Sequence, residues 1–173
     1  LEAHHLFGVD LDRIDVAVHP QSIVHSMVQF VDGATIAQAS PPTMLLPIAL
    51  GLTWPHRIPQ VAAPCDWTQA QTWTFEPLDA TAFPAVQMIK EAGKRGGTFP
   101  TVFNAANEEA VSAFHAGKIR FTDIVDSVAR VLEAHAASSE VTAEADMSLD
   151  AVLNAEAWTR AYAREFYVKK MPS

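Results

Sequence analysis

The chain has 173 residues, 49% of them hydrophobic and 18% charged, and this balance supports a buried core and excludes an intrinsically disordered protein. Its 12 basic and 20 acidic residues give a formal net charge of -8, which argues against binding nucleic acid or an anionic membrane through a basic surface. Cys65 is the only cysteine, so the sequence excludes an internal disulfide framework and a cysteine-based zinc site and fits a reducing compartment.

Residues 1–53 predict a β-rich segment. The opening stretch LEAHHLFG indicates the end of a helix with Gly8 as its C-terminal cap, and RIDVAVH indicates a short strand. SIVHSMVQF and TIAQAS then predict a β-hairpin, because Asp32 and Gly33 between them form a typical turn pair. After two prolines that stop the second strand, Pro47 marks the start of a short helix.

Residues 54–79 predict an ordered connecting arm, whereas residues 80–173 predict a helical bundle. The arm contains four prolines and three tryptophans, a composition typical of neither a helix nor a flexible linker. In the bundle, apolar residues recur with helical spacing over four or five short helices. Helix ends are predicted at Gly96-Gly97 and Gly117, and helix starts at Thr122 as N-cap, Ser148 and Asn154.

Two histidines, His19 and His25, lie six residues apart in and before the predicted hairpin. On one continuous strand they would be about 20 Å apart, too far to share a metal ion, but a break at Pro20 would leave their distance open. No H-x-x-x-H motif with a nearby glutamate occurs, so an independent histidine-based metal enzyme is the least favoured hypothesis. The sequence leaves open whether His19 and His25 are packing residues or border a site. Packing is predicted for His4, His5, His56, His115 and His135.

Acidic and amide side chains elsewhere are predicted to serve the structure. Asp10, Asp12 and Asp15 flank a solvated turn, and Glu108-Glu109 satisfy the charge preference of a helix N-terminus. In NAANEE, Asn104 and Asn107 are expected to bond to the backbone of the preceding turn, and Ala105-Ala106 allow close helix packing. The sequence has no G-x-S-x-G, Walker A or G-x-G-x-x-G motif, so its motifs alone indicate no complete active site.

Three stretches carry a specific resemblance: EAHHLFGVDLDRIDVAVHPQSIVHSMVQFVDGATIAQAS, MLLPIALGLTWPHR and TFPTVFNAANEEAVSAFHAGKIRFTDIV. In this order and spacing they resemble the C-terminal part of the 1-deoxy-D-xylulose 5-phosphate reductoisomerase family. The resemblance implies an α+β fold in three segments. These are a partial β-sheet and hairpin that end a catalytic and dimerisation domain (1–53), a Pro/Trp-rich connecting arm (54–79) and a C-terminal α-helical bundle (80–173). Because the chain opens without methionine, we expect it to be a piece of a longer protein.

The resemblance also implies an activity that depends on NADPH and on a divalent metal ion, Mg, Mn or Co. Family members rearrange the sugar phosphate 1-deoxy-D-xylulose 5-phosphate and reduce it to 2-C-methyl-D-erythritol 4-phosphate in the non-mevalonate pathway of isoprenoid biosynthesis. Their metal ligands, an Asp-Ser-Glu motif and a later glutamate, would precede Leu1, as would the NADPH domain. We therefore expect no metal ligand in these residues and no activity from this chain alone.

A few positions of the chain match family residues near the active site. His25 matches a histidine that borders the site, and the resemblance implies that it supports the site and does not transfer protons. Pro42 and Met44 match a loop near the nicotinamide and the substrate, which makes them cofactor-binding candidates. The family usually has an acid and a base where this chain has Thr43 and Leu45. The sequence therefore leaves open which residues fix the conformation of that loop here.

The resemblance implies a homodimer, formed through the sheet that contains the 18–38 hairpin. It also implies a location in the bacterial cytoplasm, or in a plastid if the protein is eukaryotic. No apolar run approaches the roughly 20 residues of a membrane span, so neither a membrane nor a nucleic acid is an expected partner. The alternative hypothesis is a free-standing structural and dimerisation module that has lost catalysis.

Overall fold

The computed structural model describes residues 1–169, with side chains up to Glu165. Two compact units result, one formed by Leu1–Asp15 together with the chain from Asp79 onward, the other by Val16–Leu78. Among the described residues, no helix combines the length and the apolar character needed to cross a membrane. In chain order the elements are α1 (Glu2–Phe7), β1 (Ala17–Val18), β2 (Val24–Gln29), β3 (Thr35–Ala39), α2 (Leu45–Thr53), β4 (Glu76–Pro77), α3 (Ala85–Arg95), α4 (Phe99–His115), α5 (Asp123–Ala136) and α6 (Leu149–Lys169).

Strands β2 and β3 form the predicted antiparallel hairpin. The Phe30 N–H donates to the Ala34 carbonyl at 2.8 Å, and the Asp32 carboxylate accepts the Ala34 N–H at 2.9 Å. Gly33 has a φ of 89°, a conformation that a residue without a Cβ adopts at little cost. The Asp-Gly pair therefore makes the turn that the sequence indicated, and this prediction is confirmed.

His19 holds the Pro/Trp-rich arm against the start of the Val16–Leu78 unit. Its ring stacks on Phe75 with the two centroids 4.4 Å apart, and its Nδ1–H donates to the Thr74 carbonyl at 2.8 Å. Gln21 donates to the Thr74 hydroxyl at 2.9 Å, which adds a second tie. The sequence left open whether His19 packs or borders a site, and these contacts make it an architectural residue of the β1–β4 pair.

Helix α4 is the centre of the other unit and packs against α3, α5 and α6. Three of its alanines, Ala105, Ala106 and Ala110, are at most 2% exposed, so their small side chains let the neighbouring helices approach closely, as NAANEE indicated. The hydrophobic core consists of Val102, Ala106, Ala110, Ala113, Ile119, Ile124, Val128, Val131, Ala155 and Ala163. Burying each of its larger aliphatic side chains contributes about 1.5–3 kcal/mol, and this packing stabilises the bundle.

The last helix differs from the prediction. The sequence indicated separate helix starts at Ser148 and Asn154, but α6 runs without interruption from Leu149 to Lys169. Ser148 does cap the helix, since its hydroxyl accepts the Ala151 N–H at 3.1 Å. Asn154 is instead an exposed interior residue, where asparagine costs no more than about 0.7 kcal/mol relative to alanine, and no glycine or proline lies between it and Lys169.

Four charged residues link α4 to α6 and correct the prediction for Glu108-Glu109. Arg160 donates to Glu108 at 2.6 Å and to Glu109 at 3.3 Å, and Arg164 donates to Glu109 at 2.7 Å. Hydrogen bonds from Arg164 and Arg160 hold the pKa of the Glu109 carboxyl below its usual range. The two glutamates lie in the second half of α4, so they are partners in an interhelical network and do not complement the helix N-terminus. Asn104 also bonds to Glu108, at 3.0 Å, and not to the backbone.

A polar contact in the bundle interior joins the start of α4 to the end of α5. The Thr98 hydroxyl lies 2.9 Å from His135 Nε2 and also accepts the Thr142 N–H at 3.2 Å. Both Thr98 and His135 have no exposed surface, and Phe99 and Trp158 pack on the imidazole ring with centroids 5.0 and 5.3 Å away. His135 was predicted to be a packing residue, and its burial confirms this.

The burial of His135 predicts that the bundle loses stability as the pH falls. Desolvation, with a smaller contribution from the positive charge of Arg95, lowers the pKa of His135 from its ordinary value of 6.5, and Glu140 opposes this shift. The folded protein therefore binds fewer protons at this ring than the unfolded chain does, so the free energy of unfolding is highest above about pH 6.5 and declines as the pH drops through and below it.

Urea unfolding between pH 7.5 and 5 measures this dependence. We expect the midpoint to fall over that range in the unchanged chain and to fall much less in His135→Gln, which has no titrating ring. The carboxylates with lowered pKa values, such as Glu109, lose their contribution to the free energy of unfolding only below about pH 4.5. Their protonation is therefore separated in pH from that of His135. An identical pH dependence in both proteins would contradict the prediction.

Candidate functional site

A cavity of about 710 Å³ lies in the Val16–Leu78 unit, between the end of the hairpin, the loop that follows β3, and α2. Its volume falls within the range of about 300–1,000 Å³ that is typical of sites for small molecules. The residues matched to the family's active site, His25, Pro42 and Met44, all line it. We treat it as the candidate functional site.

His25 reaches this cavity from an irregular position in β2. Val24 pairs with Ala39 and Ser26 pairs with Gln38, so His25 is the additional residue of a β-bulge. Its Nε2–H donates to the Ser40 carbonyl at 3.2 Å, which ties the strand to the first residue of the cavity loop. Side chains of a regular strand alternate between its two faces. The bulge interrupts this alternation at the residue that lines the cavity.

Thr43 organises the loop that carries Pro42 and Met44. Pro41 and Pro42 cannot extend β3 because proline has no backbone N–H to donate to a partner strand, so the chain leaves the hairpin after Ala39. The Thr43 hydroxyl accepts the Leu45 N–H at 3.2 Å and thereby satisfies a free donor at the start of α2. A side-chain oxygen at position 43 thus performs a local structural task that an aspartate carboxylate could also perform.

The cavity wall is mainly apolar, with a few polar groups. Pro42, Leu46 and Leu50 supply apolar surface together with Met44, whose side chain is 70% exposed. Gln38 is one of the polar residues that line the cavity, and its amide donates to the Ser40 hydroxyl at 3.2 Å. The arrangement suits a ligand that has a flat or apolar part and a polar part.

Arg57 is the charged residue that the sequence analysis missed. It lines the cavity from the turn after α2, and it is the only lysine or arginine between Arg13 and Lys90. The absence of other basic residues near Arg57 in the sequence was the signal that could have singled it out. The spacing of charges along the sequence does not, however, reveal which cavity a side chain lines. Thr53 fixes this turn by donating its hydroxyl proton to the His56 carbonyl at 2.7 Å.

The two histidines of the hairpin region do not form one site. β1 and β2 belong to different two-stranded sheets, and the turn at Pro20-Gln21 separates His19 from the strand that carries His25. Over residues 1–169, no group of three or more His, Cys, Asp or Glu side chains is arranged to hold a metal ion.

Comparison with protein families and curated proteins gives one consistent result. Residues 39–162 match the family model described as the DXP reductoisomerase C-terminal domain. The chain is 70% identical over 165 residues to 1-deoxy-D-xylulose 5-phosphate reductoisomerase from Pseudarthrobacter chlorophenolicus, covering 95% of this chain and 40% of that protein. Its relative of the same name from Arthrobacter sp. strain FB24 is 67% identical with the same coverage. The chain therefore spans about 40% of the length of the curated relatives it matches.

Solved structures agree with this result. The 1-deoxy-D-xylulose 5-phosphate reductoisomerase from Zymomonas mobilis in complex with NADPH is 38% identical with a TM-score of 0.83, over 96% of this chain and 42% of that one. A DOX-P reductoisomerase in complex with NADPH, fosmidomycin and magnesium is 32% identical with a TM-score of 0.88, again over 96% of this chain and 42% of that one.

Proposed function

The chain belongs to the 1-deoxy-D-xylulose 5-phosphate reductoisomerase family, and we propose that it forms the C-terminal part of an enzyme that converts 1-deoxy-D-xylulose 5-phosphate to 2-C-methyl-D-erythritol 4-phosphate. The proposed enzyme uses NADPH and a divalent metal ion and acts in the bacterial cytoplasm. The family match over residues 39–162, which includes the loop and helix of the cavity, carries this proposal.

The chain's own residues would supply one wall of the active site in this enzyme. When bound, NADPH supplies a hydride and the metal ion polarises oxygen atoms of the sugar phosphate. The apolar surface of Pro42 and Met44 fits the flat ring of a nicotinamide, and a thioether packs well on an aromatic face. His25 positions the loop through the Ser40 carbonyl, and Thr43 positions it through the Leu45 N–H.

The metal ion would be held by residues outside this stretch of chain. The described residues gather no suitable ligand cluster, and those that line the cavity are mostly apolar groups, amides and hydroxyls. Divalent ions such as Mg²⁺ prefer carboxylate oxygens, which the cavity lining does not offer. We therefore expect this chain alone to be inactive.

Joining the chain to the upstream 60% of its Pseudarthrobacter relative tests the function. We expect the joined protein to oxidise NADPH when 1-deoxy-D-xylulose 5-phosphate and a divalent metal ion are present. Met44→Ala should raise the KM for NADPH about 10-fold, because it removes apolar contact area from the ring site. Leu45→Ala is the matched control, since Leu45 is exposed but does not line the cavity, and its kinetics should stay within twofold. A folded joined protein without turnover would refute the proposal.

We further propose that the 18–38 hairpin forms a homodimer interface in this enzyme. Its strands leave Met27, Val28, Phe30 and Ile36 between 47% and 64% exposed, which is unusual for large apolar side chains on one hairpin. The two outer edges of a two-stranded sheet also leave backbone groups available for pairing. The same exposure fits the alternative of a structural dimerisation module without catalysis.

Sedimentation of the joined protein tests the proposed interface. We expect Val28→Glu to shift it from dimer to monomer, because a buried unpaired charge costs several kcal/mol at an interface. Leu52→Glu, which alters an 81% exposed residue of α2 outside the hairpin, should leave the dimer intact. A dimer unaffected by Val28→Glu would place the interface elsewhere.

A further inference from the structure

The loop that follows β3 places two exposed residues on the cavity wall. Residues 40–44 form this cavity loop, and Pro42 and Met44 both line the cavity. Neither is buried, and the Met44 side chain is 70% exposed, so packing against the described residues does not hold them in place. Polar contacts at the ends of the loop therefore have to fix the position of these two residues relative to the hairpin.

Ser40 attaches the start of the cavity loop to the hairpin through all three of its polar groups. Its N–H donates to the Ile23 carbonyl at 2.9 Å, and its carbonyl accepts the His25 Nε2–H at 3.2 Å. Its hydroxyl accepts a hydrogen bond from the Gln38 amide at 3.2 Å. Two of these partners, His25 and Gln38, line the cavity together with Ser40 itself. The loop thus begins at a residue that the cavity wall holds from several sides.

Two prolines transmit the position of Ser40 to the rest of the loop. Proline fixes its own φ near about −65° and restricts the residue before it to extended conformations. Ser40 and Pro41 each precede a proline, so few backbone torsions stay free before Thr43. At the far end, the Thr43 hydroxyl bonds to the start of α2. A rotation at Ser40 would therefore displace Pro42 and Met44 together.

We propose that Ser40 is a positioning residue of the cavity, whose hydroxyl, held by the Gln38 amide, sets the orientation of the cavity loop. In this orientation Pro42 and Met44 contact the nicotinamide ring of NADPH. The inference rests on the proposed function and deepens it, because it names the side chains that preorganise the wall of the cofactor site. Ser40 acts through the loop and does not touch the reacting atoms.

Steady-state kinetics of Ser40→Ala in the joined protein test the inference. Alanine keeps both backbone hydrogen bonds and removes only the contact with Gln38. We expect the KM for NADPH to rise about fivefold, as expected for one lost hydrogen bond. The kcat and the KM for 1-deoxy-D-xylulose 5-phosphate should change less than about twofold, because a misplaced wall weakens cofactor binding equally in the ground state and the transition state. A general loss of folded protein would instead lower kcat at an unchanged KM.

Two further variants serve as controls. Ser40→Thr keeps the hydroxyl and should restore the KM for NADPH to within about twofold of the unchanged protein. Ser138→Ala removes a serine hydroxyl that also makes hydrogen bonds, but it lies in the helical bundle and does not line the cavity. Its kinetic constants should stay unchanged.

A double variant shows whether Ser40 and Gln38 act through their mutual hydrogen bond. Gln38→Leu removes the same bond from the other side, so we expect it alone to raise the KM for NADPH by about the same factor as Ser40→Ala. The double variant should then be no worse than either single variant, since only one bond is lost. Effects that multiply would mean that the two side chains act separately, which overturns the inference.

The outcomes separate the inference from the proposed function. If the unchanged joined protein turns over and Ser40→Ala keeps the KM for NADPH within about 1.5-fold, the hydroxyl does not position the loop, and the proposed function still stands. A folded joined protein without turnover refutes the proposed function, and the inference is then decided on the 173-residue chain itself.

NMR of the Met44 ε-methyl group provides that measurement. Its signal, assigned by its loss in Met44→Leu, reports the position of the cavity loop without any turnover. We expect Ser40→Ala to shift the signal, and Ser40→Thr and Ser138→Ala to leave it in place. Gln38→Leu replaces Ser40→Ala if that variant fails to fold. A Met44 signal that stays unchanged when the bond is removed overturns the inference.

Discussion

Replacing Gly97 by alanine should lower the free energy of unfolding of the bundle by about 3 kcal/mol. Gly97 has a φ of 55°, a left-handed conformation that costs residues with a Cβ about 1–2 kcal/mol. A Cβ at this position would also overlap the carbonyl oxygen of Thr142, which is backbone and cannot rotate away. The remaining cost comes from moving the Thr142 segment, which adds about 1–3 kcal/mol.

The turn at Gly97 cannot relax easily, because two hydrogen bonds hold it to the segment before α6. The Gly97 N–H donates to the Glu144 carboxylate at 2.6 Å, and the Thr98 N–H donates to the Thr142 carbonyl at 3.2 Å. Any shift that makes room for a methyl group lengthens one of them. The substitution therefore weakens the connection between the α3–α4 turn and the start of the last helix.

Gly117→Ala is the matched control for this experiment. Gly117 also has a positive φ, 69°, but nothing lies within 4 Å of the place a Cβ would occupy. We expect Gly117→Ala to lower the free energy of unfolding only by the cost of the left-handed conformation, about 1 kcal/mol. Urea unfolding followed by circular dichroism at 222 nm measures both variants. Equal losses would show that the Thr142 carbonyl does not restrict position 97.

Thr98→Val should cost the bundle about 2–3 kcal/mol although it keeps the shape of the side chain. Valine removes the hydroxyl that accepts the Thr142 N–H and that lies 2.9 Å from His135 Nε2. The lowered pKa of His135, caused first by its burial, keeps the ring neutral near pH 7, so Nε2 can accept the hydroxyl proton. Without that hydroxyl, a fully buried ring nitrogen loses its partner and its desolvation is not offset.

Thr159→Val provides the matched control inside the same bundle. Thr159 is also fully buried, but its hydroxyl has no hydrogen-bond partner among the described residues. Removing an unpartnered buried hydroxyl should change the free energy of unfolding by less than about 0.5 kcal/mol or increase it. The same urea titration compares the two substitutions. Similar losses at both positions would mean that the contact between Thr98 and His135 contributes little.

Local chemistry made part of the fold predictable from the sequence. Asp32-Gly33 forms the hairpin turn, and Gly8, Gly96 and Gly117 follow the ends of helices, because a positive φ is decided by the residue itself. The family resemblance also selected His25, Pro42 and Met44, which line one cavity. Their roles toward a cofactor stay proposals, as does the division into segments 1–53, 54–79 and 80–173.

Features that depend on distant partners were not predictable in this way. Glu108 and Glu109 looked like a local charge preference until α6 brought Arg160 and Arg164 beside them, about fifty residues further along the chain. Asn154 looked like a helix start, yet the helix continues through it because no backbone feature stops it. The helix propensity of a single residue is worth only a fraction of a kcal/mol, so tertiary packing overrides it.

The sequence by itself determined where the chain turns, which faces of the bundle helices are apolar, and to which family the chain belongs. Only the tertiary structure decided that His25 occupies a β-bulge, that His19 packs on Phe75, and that Arg57 lines the same cavity as Met44. The physical reason is the range of the interactions. A turn depends on the conformational freedom of one or two neighbouring residues, whereas a bulge, a stacked ring or a cavity wall depends on segments that meet only after the chain has folded.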